Sequence, residues 1–200
     1  LVVACPARPD DAAGLLRTLL ASALVDGTVG VFLEPIALYH TRDLYREGDG
    51  GWAAPYAPPT AWAGAHIPIG SGRVEVAGSG ADLTIITFGN GVRMSLRVAA
   101  SLAAEGVGSR VVDLRWLAPL PAADIVRESR VTGRVLIVDE TRRSAGVGEG
   151  VLAALVDAGY EGAAVRVASV DSFVPLGDAA RHVLVDEDSI FQGARSILAT

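Results

Sequence analysis

The sequence predicts an α/β fold in which a mostly parallel sheet is covered by helices on both faces. Short apolar runs alternate along the chain with longer segments whose apolar residues recur at helical spacing. The runs are almost continuously apolar, which is typical of strands that are buried on both faces. Half of the 200 residues are hydrophobic and a fifth are charged, so the chain can form a substantial core.

The first 40 residues are predicted to form a strand, a helix and a second strand. The run from Leu1 to Ala4 is the first strand. Asp10 or Asp11 can accept hydrogen bonds from the first turn of the helix, which is expected to end at Asp26-Gly27. The apolar run from Val29 to Leu33 predicts a second buried strand.

Residues 41–70 are predicted to be an interdomain linker. Glycines and prolines cluster here, which argues against regular structure. Three aromatic residues, Trp52, Tyr56 and Trp62, indicate that the linker packs on a surface.

From residue 71 to residue 200 the alternation predicts one complete α/β domain. Strands are expected at residues 83–88, 110–114, 135–138 and 164–168. Helices are expected to begin near Asn90, Pro121, Gly148 and Asp188, and glycines follow the first three of them.

Polar residues follow these strands at the edge where open α/β sheets usually bind ligands. The densest charge cluster comprises Asp139, Glu140, Arg142 and Arg143. It fits either paired acid and base groups or ion pairs at an interface. The Gly89–Gly91 segment fits either a tight strand-to-helix turn or an anion site at a helix N-terminus.

Composition argues against several classes of protein. All 17 basic residues are arginine, so a P-loop lysine and Schiff-base chemistry are excluded. The histidines, His40, His66 and His182, lack zinc-site spacing, and Cys5 is expected to be a buried, inert thiol. A net charge of −6 argues against nucleic-acid binding, and no apolar run is long enough to cross a membrane. The single cysteine fits the cytoplasm.

A series of ordered motifs resembles the C-terminal portion of the β subunit of thiamine-diphosphate-dependent 2-oxo acid dehydrogenases, in the transketolase superfamily. The motifs span almost the whole chain: Val2-Val3-Ala4-Cys5-Pro6, Val31-Phe32-Leu33-Glu34-Pro35, Thr87-Phe88-Gly89-Asn90-Gly91, Val112-Asp113-Leu114-Arg115 and Val138-Asp139-Glu140. The segment Phe173-Val174-Pro175-Leu176-Gly177 is also similar to 1-deoxyxylulose-5-phosphate synthase, a sister enzyme.

The resemblance implies that residues 1–40 end a pyrimidine-binding domain and that residues 71–200 form a transketolase C-terminal domain. It implies a parent enzyme that uses thiamine diphosphate and magnesium to decarboxylate a 2-oxo acid oxidatively, with pyruvate and branched-chain acids as candidates. The acyl group would pass to a lipoyl acyltransferase. The implied partners are this acyltransferase, an α subunit or α-like half, and a second copy of the chain.

Because the family's functional glutamate and histidine would lie upstream of Leu1, the chain itself is expected to carry no catalytic or cofactor-binding residue. It is expected to be inactive alone and to serve subunit assembly and partner docking. Two alternatives stay open. The chain could be the C-terminal part of a transketolase or of a 1-deoxyxylulose-5-phosphate synthase-like enzyme, or a non-catalytic α/β binding and dimerisation module.

The resemblance also implies two sites within the chain. Main-chain carbonyls of Ala23, Asp26 and Thr28 match positions that bind potassium in the family, although an ordinary helix end closed by Gly27 fits the same residues. The charge cluster at residues 139–143 would pair acids with arginines across a two-fold axis between two copies.

Overall fold

The chain folds into two β-sheets with helices packed against them. The computed structural model describes residues 1–200. The strands and helices, in chain order, are β1 (Val2–Ala4), α1 (Pro9–Asp26), β2 (Gly30–Phe32), β3 (Arg73–Ala77), β4 (Leu83–Thr87), α2 (Asn90–Ala104), β5 (Ser109–Asp113), β6 (Trp116–Ala118), α3 (Ala122–Thr132), β7 (Arg134–Arg142), α4 (Val147–Asp157), β8 (Ala163–Ser169) and α5 (Glu187–Leu198). None of these helices has the length and hydropathy needed to span a bilayer.

The larger sheet has five strands in the order β3-β5-β4-β7-β8. Strands β5, β4, β7 and β8 are parallel, and β3 pairs antiparallel with β5 at one edge. One face packs against α2 and α5 through Leu136 and Val138, and the opposite face packs against α3 and α4 through Val135 and Ile137. The predicted mostly parallel sheet with helices on both faces is confirmed.

The smaller sheet combines strands from both sides of the linker. It has the order β2-β1-β6, with β1 parallel to β2 and antiparallel to β6. Strand β6 follows β5 in the chain, so the C-terminal part contributes a strand to the N-terminal strand–helix–strand unit. Helix α1 packs on this sheet through Leu15 and Leu19, which lie in one cluster with Trp116 of β6.

Residues 41–70 form turns and one short 3-10 segment at Pro59–Ala61, as their composition predicts. The aromatic residues differ in their burial. Trp52 is buried beneath the Arg8 guanidinium, whereas Tyr56 is exposed and Trp62 packs under Arg17. The linker therefore lies on the surface of α1 and the first loop, as the aromatic residues indicated.

Strands β3 and β6 are absent from the sequence prediction. Strand β3 alternates charged and apolar residues at an antiparallel edge, a pattern unlike the continuous apolar runs of the central strands. Strand β6 has only three residues. Strand β7 also continues four residues beyond its predicted end at Val138, as far as Arg142.

We expect Gly193→Ala to destabilise the fold, because α5 lies closest to the sheet at this glycine. An added Cβ would lie 2.6 Å from Val167 Cγ2 and 3.0 Å from Leu136 Cδ1. Overpacking costs about 1–3 kcal/mol and outweighs the gain of about 1 kcal/mol in helix propensity. Urea denaturation should show a lower midpoint. Gln192→Ala, on the exposed side of α5, should leave the midpoint almost unchanged, and an unchanged midpoint for Gly193→Ala would contradict the close approach.

Candidate functional site

The carboxyl edge of the five-stranded sheet meets the loop that follows β1, and we call this contact zone the seam: Cys5, Asp11, Asp113, Arg115 and Glu140. The Cys5 amide donates to the Arg115 carbonyl at 2.8 Å. Gly89 lies between Cys5 and Glu140. A Cβ added at Gly89 would lie 3.4 Å from Cys5 Sγ and 2.9 Å from Glu140 Oε1. The seam thus places residues from the N-terminal unit and from the middle of the chain at the edge where the sequence predicted a site.

A buried ion pair crosses the seam. The Asp11 carboxylate accepts hydrogen bonds from Arg115 Nε at 2.9 Å and from Arg115 Nη2 at 2.6 Å, a two-point contact that fixes the geometry of both groups. Arg73 Nη1 adds a longer contact of 3.3 Å to Asp11 and also bonds to Asp10 at 2.9 Å. Asp11 is only 4% exposed, so this pair connects α1 to β3 and β5 from inside the protein.

Arg115 reaches Asp11 from an uncommon backbone conformation. Its φ is +59°, in the left-handed region that costs a residue with a side chain about 1–2 kcal/mol. The Arg115 amide donates to Asp113 Oδ1 at 3.0 Å, and this bond holds the turn between β5 and β6. The strained turn is what directs the arginine back toward α1.

Asp113 is the most perturbed carboxyl group of the seam. It is 1% exposed, and its second oxygen, Oδ2, is buried without a hydrogen-bond partner. Burial raises the pKa of Asp113 to about 7, and the charge of Asp11 adds to the rise, although the Arg115 amide and guanidinium oppose it.

Cys5 is buried in the seam, as the sequence predicted. Burial, with the nearby carboxylates of Asp113 and Glu140, raises the pKa of the Cys5 thiol to about 12. Because the thiolate is the reactive form, burial makes this thiol inert.

Asp139 and Glu140 are consecutive on β7 and therefore point to opposite faces of the sheet. Glu140 Oε1 accepts from the Gly91 amide at 2.8 Å, at the N-terminus of α2. Asp139 accepts from the Gly148 amide at 2.6 Å, at the N-terminus of α4, and from the amide and hydroxyl of Thr141. Each carboxylate thus satisfies free N–H groups at the start of a helix.

These bonds decide between the two interpretations of Gly89–Gly91. The glycines form a tight turn, with Gly89 at a φ of +55°, and the α2 N-terminus is filled by the chain's own Glu140 carboxylate. The anion site considered from the sequence is corrected accordingly, because a second negative group would repel Glu140.

The charge cluster at residues 139–143 divides into two parts. Asp139 is fully buried and Glu140 bonds inward, so neither carboxylate is directed at a neighbouring molecule. Arg142 and Arg143 are exposed. The predicted acid-to-arginine pairing across an axis therefore lacks free acids within this cluster, although a contact through the two arginines stays a prediction.

The three residues of the predicted potassium site lie together at the end of α1. Ala23 and Asp26 are in its last turn, and Thr28 follows Gly27, which closes the helix in the left-handed conformation at a φ of +66°. The Gly27 amide donates to the Ser22 carbonyl, as at an ordinary helix C-terminus. Cation binding at these carbonyls stays a prediction.

Comparison with known proteins bears on the fold just described. The family described as "Transketolase, C-terminal domain" matches residues 72–190. The chain belongs to this family. The family match covers β4, β5, β7 and β8 with the helices between them, and Asp113, Arg115 and Glu140 lie inside it. Cys5 and Asp11 precede it, so the seam joins the transketolase C-terminal domain to the unit before it.

Individual relatives support the resemblance that the sequence motifs indicated. The chain is 33% identical over 199 residues to the pyruvate dehydrogenase E1 component subunit beta of Bacillus subtilis, covering 98% of this chain and 55% of the relative. The corresponding subunit of Staphylococcus aureus strain N315 is 32% identical over 201 residues, covering 99% and 56%. The chain thus spans about half the length of the curated relatives it matches.

A solved structure supports the fold. A split-gene transketolase, described as an inactive beta4 tetramer, superposes with a TM-score of 0.73 at 22% identity, over 99% of this chain and 57% of that one. At this identity the likeness concerns the fold alone. Together with the family match it confirms the transketolase-like fold that the motifs predicted.

The Asp11–Arg115 pair was missed by sequence reasoning. Its members are 104 residues apart, and neither belongs to a recognisable charge cluster. The available signal is weak: Arg115 lies two residues after Asp113, just beyond a strand, and the sequence pattern indicates only a helix cap for Asp11. The structure shows that Asp11 bonds to arginines rather than capping α1 through its own first turn.

We expect Asp11→Asn to lower the free energy of unfolding by about 1–3 kcal/mol, because it leaves the guanidinium groups of Arg115 and Arg73 short of a buried partner. Asp10→Asn is the matched control. Its side chain is 42% exposed and bonds to the same Arg73, so the loss should stay below about 1 kcal/mol. Chemical denaturation of both variants at one pH compares them. Equal losses would show that burial of Asp11 contributes nothing.

Proposed function

We propose that this chain is the C-terminal part of the β subunit of a thiamine-diphosphate-dependent 2-oxo acid dehydrogenase, in which it serves subunit assembly and partner docking. The observation that carries the proposal is the match to pyruvate dehydrogenase E1 β subunits along nearly the entire chain. Pyruvate is accordingly the first substrate to test, and branched-chain 2-oxo acids are the second.

The N-terminal unit has the features of part of a larger domain. The outer edge of β2 is unpaired, and edges of this kind accept further strands. The outer surface of α1 and the segments flanking β2 expose several large apolar side chains: Leu20, Leu24, Val25, Val29 and Ile36. Such a surface in a monomer marks a contact site. This supports the division into the end of a pyrimidine-binding domain at residues 1–40, a linker at 41–70 and a transketolase C-terminal domain at 71–200.

The residues present do not fit a thiamine diphosphate or magnesium site. Magnesium requires free oxygen ligands, and a diphosphate requires free N–H groups or cations. At the carboxyl edge, Asp139 and Glu140 are committed to backbone amides, and Asp11 is committed to two arginines. We therefore propose that thiamine diphosphate and magnesium bind outside these 200 residues and that this chain alone is inactive. Potassium at Ala23, Asp26 and Thr28 belongs to the same proposal.

The assay uses the longer protein that contains this chain, together with its α-type partner, thiamine diphosphate and magnesium. We expect reduction of an artificial electron acceptor that depends on a 2-oxo acid. Transfer between ketose and aldose phosphates without an acceptor would favour a transketolase. Condensation of pyruvate with glyceraldehyde 3-phosphate would favour the synthase, and inactivity in all three assays would favour a binding module.

The chain alone provides the control. Calorimetric titration of the 200-residue chain with thiamine diphosphate and magnesium should give no heat of specific binding, because Asp139 and Glu140 at its sheet edge are already bonded to backbone amides. Micromolar affinity would show that a cofactor site lies within these residues and would contradict the assignment of an assembly role.

The proposed partners are an α subunit or α-like half, a lipoyl acyltransferase component and a second copy of the chain, in the cytoplasm. Association of two copies is the part that this chain can test directly. Arg142 and Arg143 are exposed at the end of β7, beside a loop that presents Phe173 and Leu176 almost fully to solvent. Ser144 connects the two segments, since its amide and hydroxyl donate to Asp171.

We expect Arg143→Glu to weaken self-association by about tenfold or more, because charge reversal inside an interface places unfavourable charges together. Analytical ultracentrifugation over a range of concentrations measures the effect. Arg46→Glu, an exposed change in the linker, should leave association unchanged. If Arg143→Glu sediments like the parent, the arginines lie outside the contact.

A further inference from the structure

Asp113 occupies an unusual position at the seam, because its carboxyl group is enclosed with only half of its hydrogen-bonding capacity used. Oδ1 accepts from the Arg115 amide, and Oδ2 is buried without a partner. Thr87, the register neighbour of Asp113 on β4, likewise has a buried hydroxyl with no partner. No donor is therefore committed to the second carboxyl oxygen of Asp113.

The charges around Asp113 do not compensate for an ionised carboxylate. Arg115, after β5, and Arg73, on β3, both direct their guanidinium groups to acids on α1. Asp11, on α1, faces Asp113 with its own negative charge. From the other side, Cys5 lies between Asp113 and Glu140 of β7. An ionised Asp113 would be a second buried anion beside Asp11, with the nearest cations already engaged.

We infer that Asp113 is a proton-operated latch: the seam is closed when its carboxyl group is neutral, and the segment around Cys5 separates from the C-terminal domain when the proton leaves to bulk water. The raised pKa of about 7 supports this, because it places the proton loss near neutral pH. The latch concerns how the chain's two parts hold together and stands independently of the proposed enzyme activity.

The seam is the place at which the structure can respond. The N-terminal unit meets the C-terminal domain there through the three-residue strands β1 and β6, the bond from the Cys5 amide to the Arg115 carbonyl, the Asp11–Arg115 ion pair and the packing of Cys5 in the core of the larger sheet. Asp113 itself belongs to β5, which is paired on both sides within the five-stranded sheet. Separating the N-terminal unit at the seam therefore hydrates Asp113 without unpairing the strands of the larger sheet.

The sign of the pH dependence follows from the direction of the shift. A carboxyl group whose pKa is raised in the closed state stabilises that state fully below its ordinary value of 3.8. The contribution declines as pH rises and is lost above about 7. Between pH 5 and pH 7, the opening equilibrium should increase by up to about tenfold per pH unit and then level off.

Cys5 provides the probe, because it is the chain's single cysteine and is buried in the seam. The rate of its modification by a small thiol reagent is measured from pH 5 to pH 8 for the parent chain and for Asp113→Asn. The ratio of the two rates cancels ionisation of the thiol in the open state. We expect the rate for the parent chain, divided by the rate for Asp113→Asn, to rise by more than tenfold from pH 5 to pH 7 and to stay constant above pH 7.5. A constant ratio throughout overturns the proposal.

Glu140→Gln is the matched control, since it removes the other carboxylate beside Cys5 and keeps an oxygen for the Gly91 amide. The pH-dependent rise relative to Asp113→Asn should persist in this variant. If the rise disappears, the responsible proton is on Glu140 and the assignment to Asp113 is wrong.

A direct titration keeps the proposal falsifiable if Asp113→Asn does not fold. The carboxyl ¹³C resonance of Asp113 in the parent chain should titrate with a midpoint near 7. The Cys5 amide should lose protection from hydrogen exchange over the same pH range, while amides of β7 such as that of Ile137 stay protected. A midpoint below 5, or simultaneous loss of protection in β7, overturns the latch.

Discussion

The buried pair between Asp11 and Arg115 is the interaction on which the arrangement of the chain depends. It joins the first turn of α1 to the turn after β5, across 104 residues of sequence, through two hydrogen bonds of 2.9 and 2.6 Å. An isolated ion pair at the surface would contribute little, but this one is enclosed, so removing either partner leaves an uncompensated charge. The pair lies at the edge of the smaller sheet, because β6 begins directly after Arg115 and adds to β1.

Hydrogen bonds to backbone amides explain why a charge-rich sheet edge carries no free acid–base pair. The parallel strands end together at one edge, and the helices on both faces begin there, so backbone N–H groups need acceptors at the same place. Consecutive residues of β7 meet this need on both faces, Glu140 at α2 and Asp139 at α4. In many α/β proteins a ligand anion occupies such a position. Here the chain's own carboxylates occupy it.

The fold class could be predicted from the sequence because the central strands are continuous apolar runs separated by capped helices. Leu83–Thr87 and the start of β7 illustrate this, because both segments are buried on both faces and are rich in aliphatic residues. Strand β3 was not predicted because an edge strand exposed on one side lacks that composition. Strand β6 was not predicted because three residues carry no period, and its partner strand β1 lies far away in the sequence.

The sequence predicts where the candidate site lies in the fold, but it does not predict what the carboxylates of the site do. The rule that ligands sit at the carboxyl ends of strands selected the segments around Gly89, Asp113 and Asp139, and the structure brings the first two together with Cys5. The rule is silent on whether a carboxylate at that edge faces a ligand, a helix or another acid. Those alternatives differ only in which distant parts of the sequence pack against the carboxylate. Local sequence patterns carry no information about such long-range contacts.

Burial without a dedicated partner distinguishes Asp113 from the other carboxylates in and beside the seam. Asp11, Asp139 and Glu140 each meet cations or backbone amides that hold a negative charge in place. Asp113 meets one amide and a neighbouring acid, so the neutral form fits its surroundings and the ionised form does not. A sheet edge built from satisfied anions therefore contains one position where a proton substitutes for the missing cation. That position lies just before β6, the strand that the C-terminal part of the chain adds to the smaller sheet by pairing with β1.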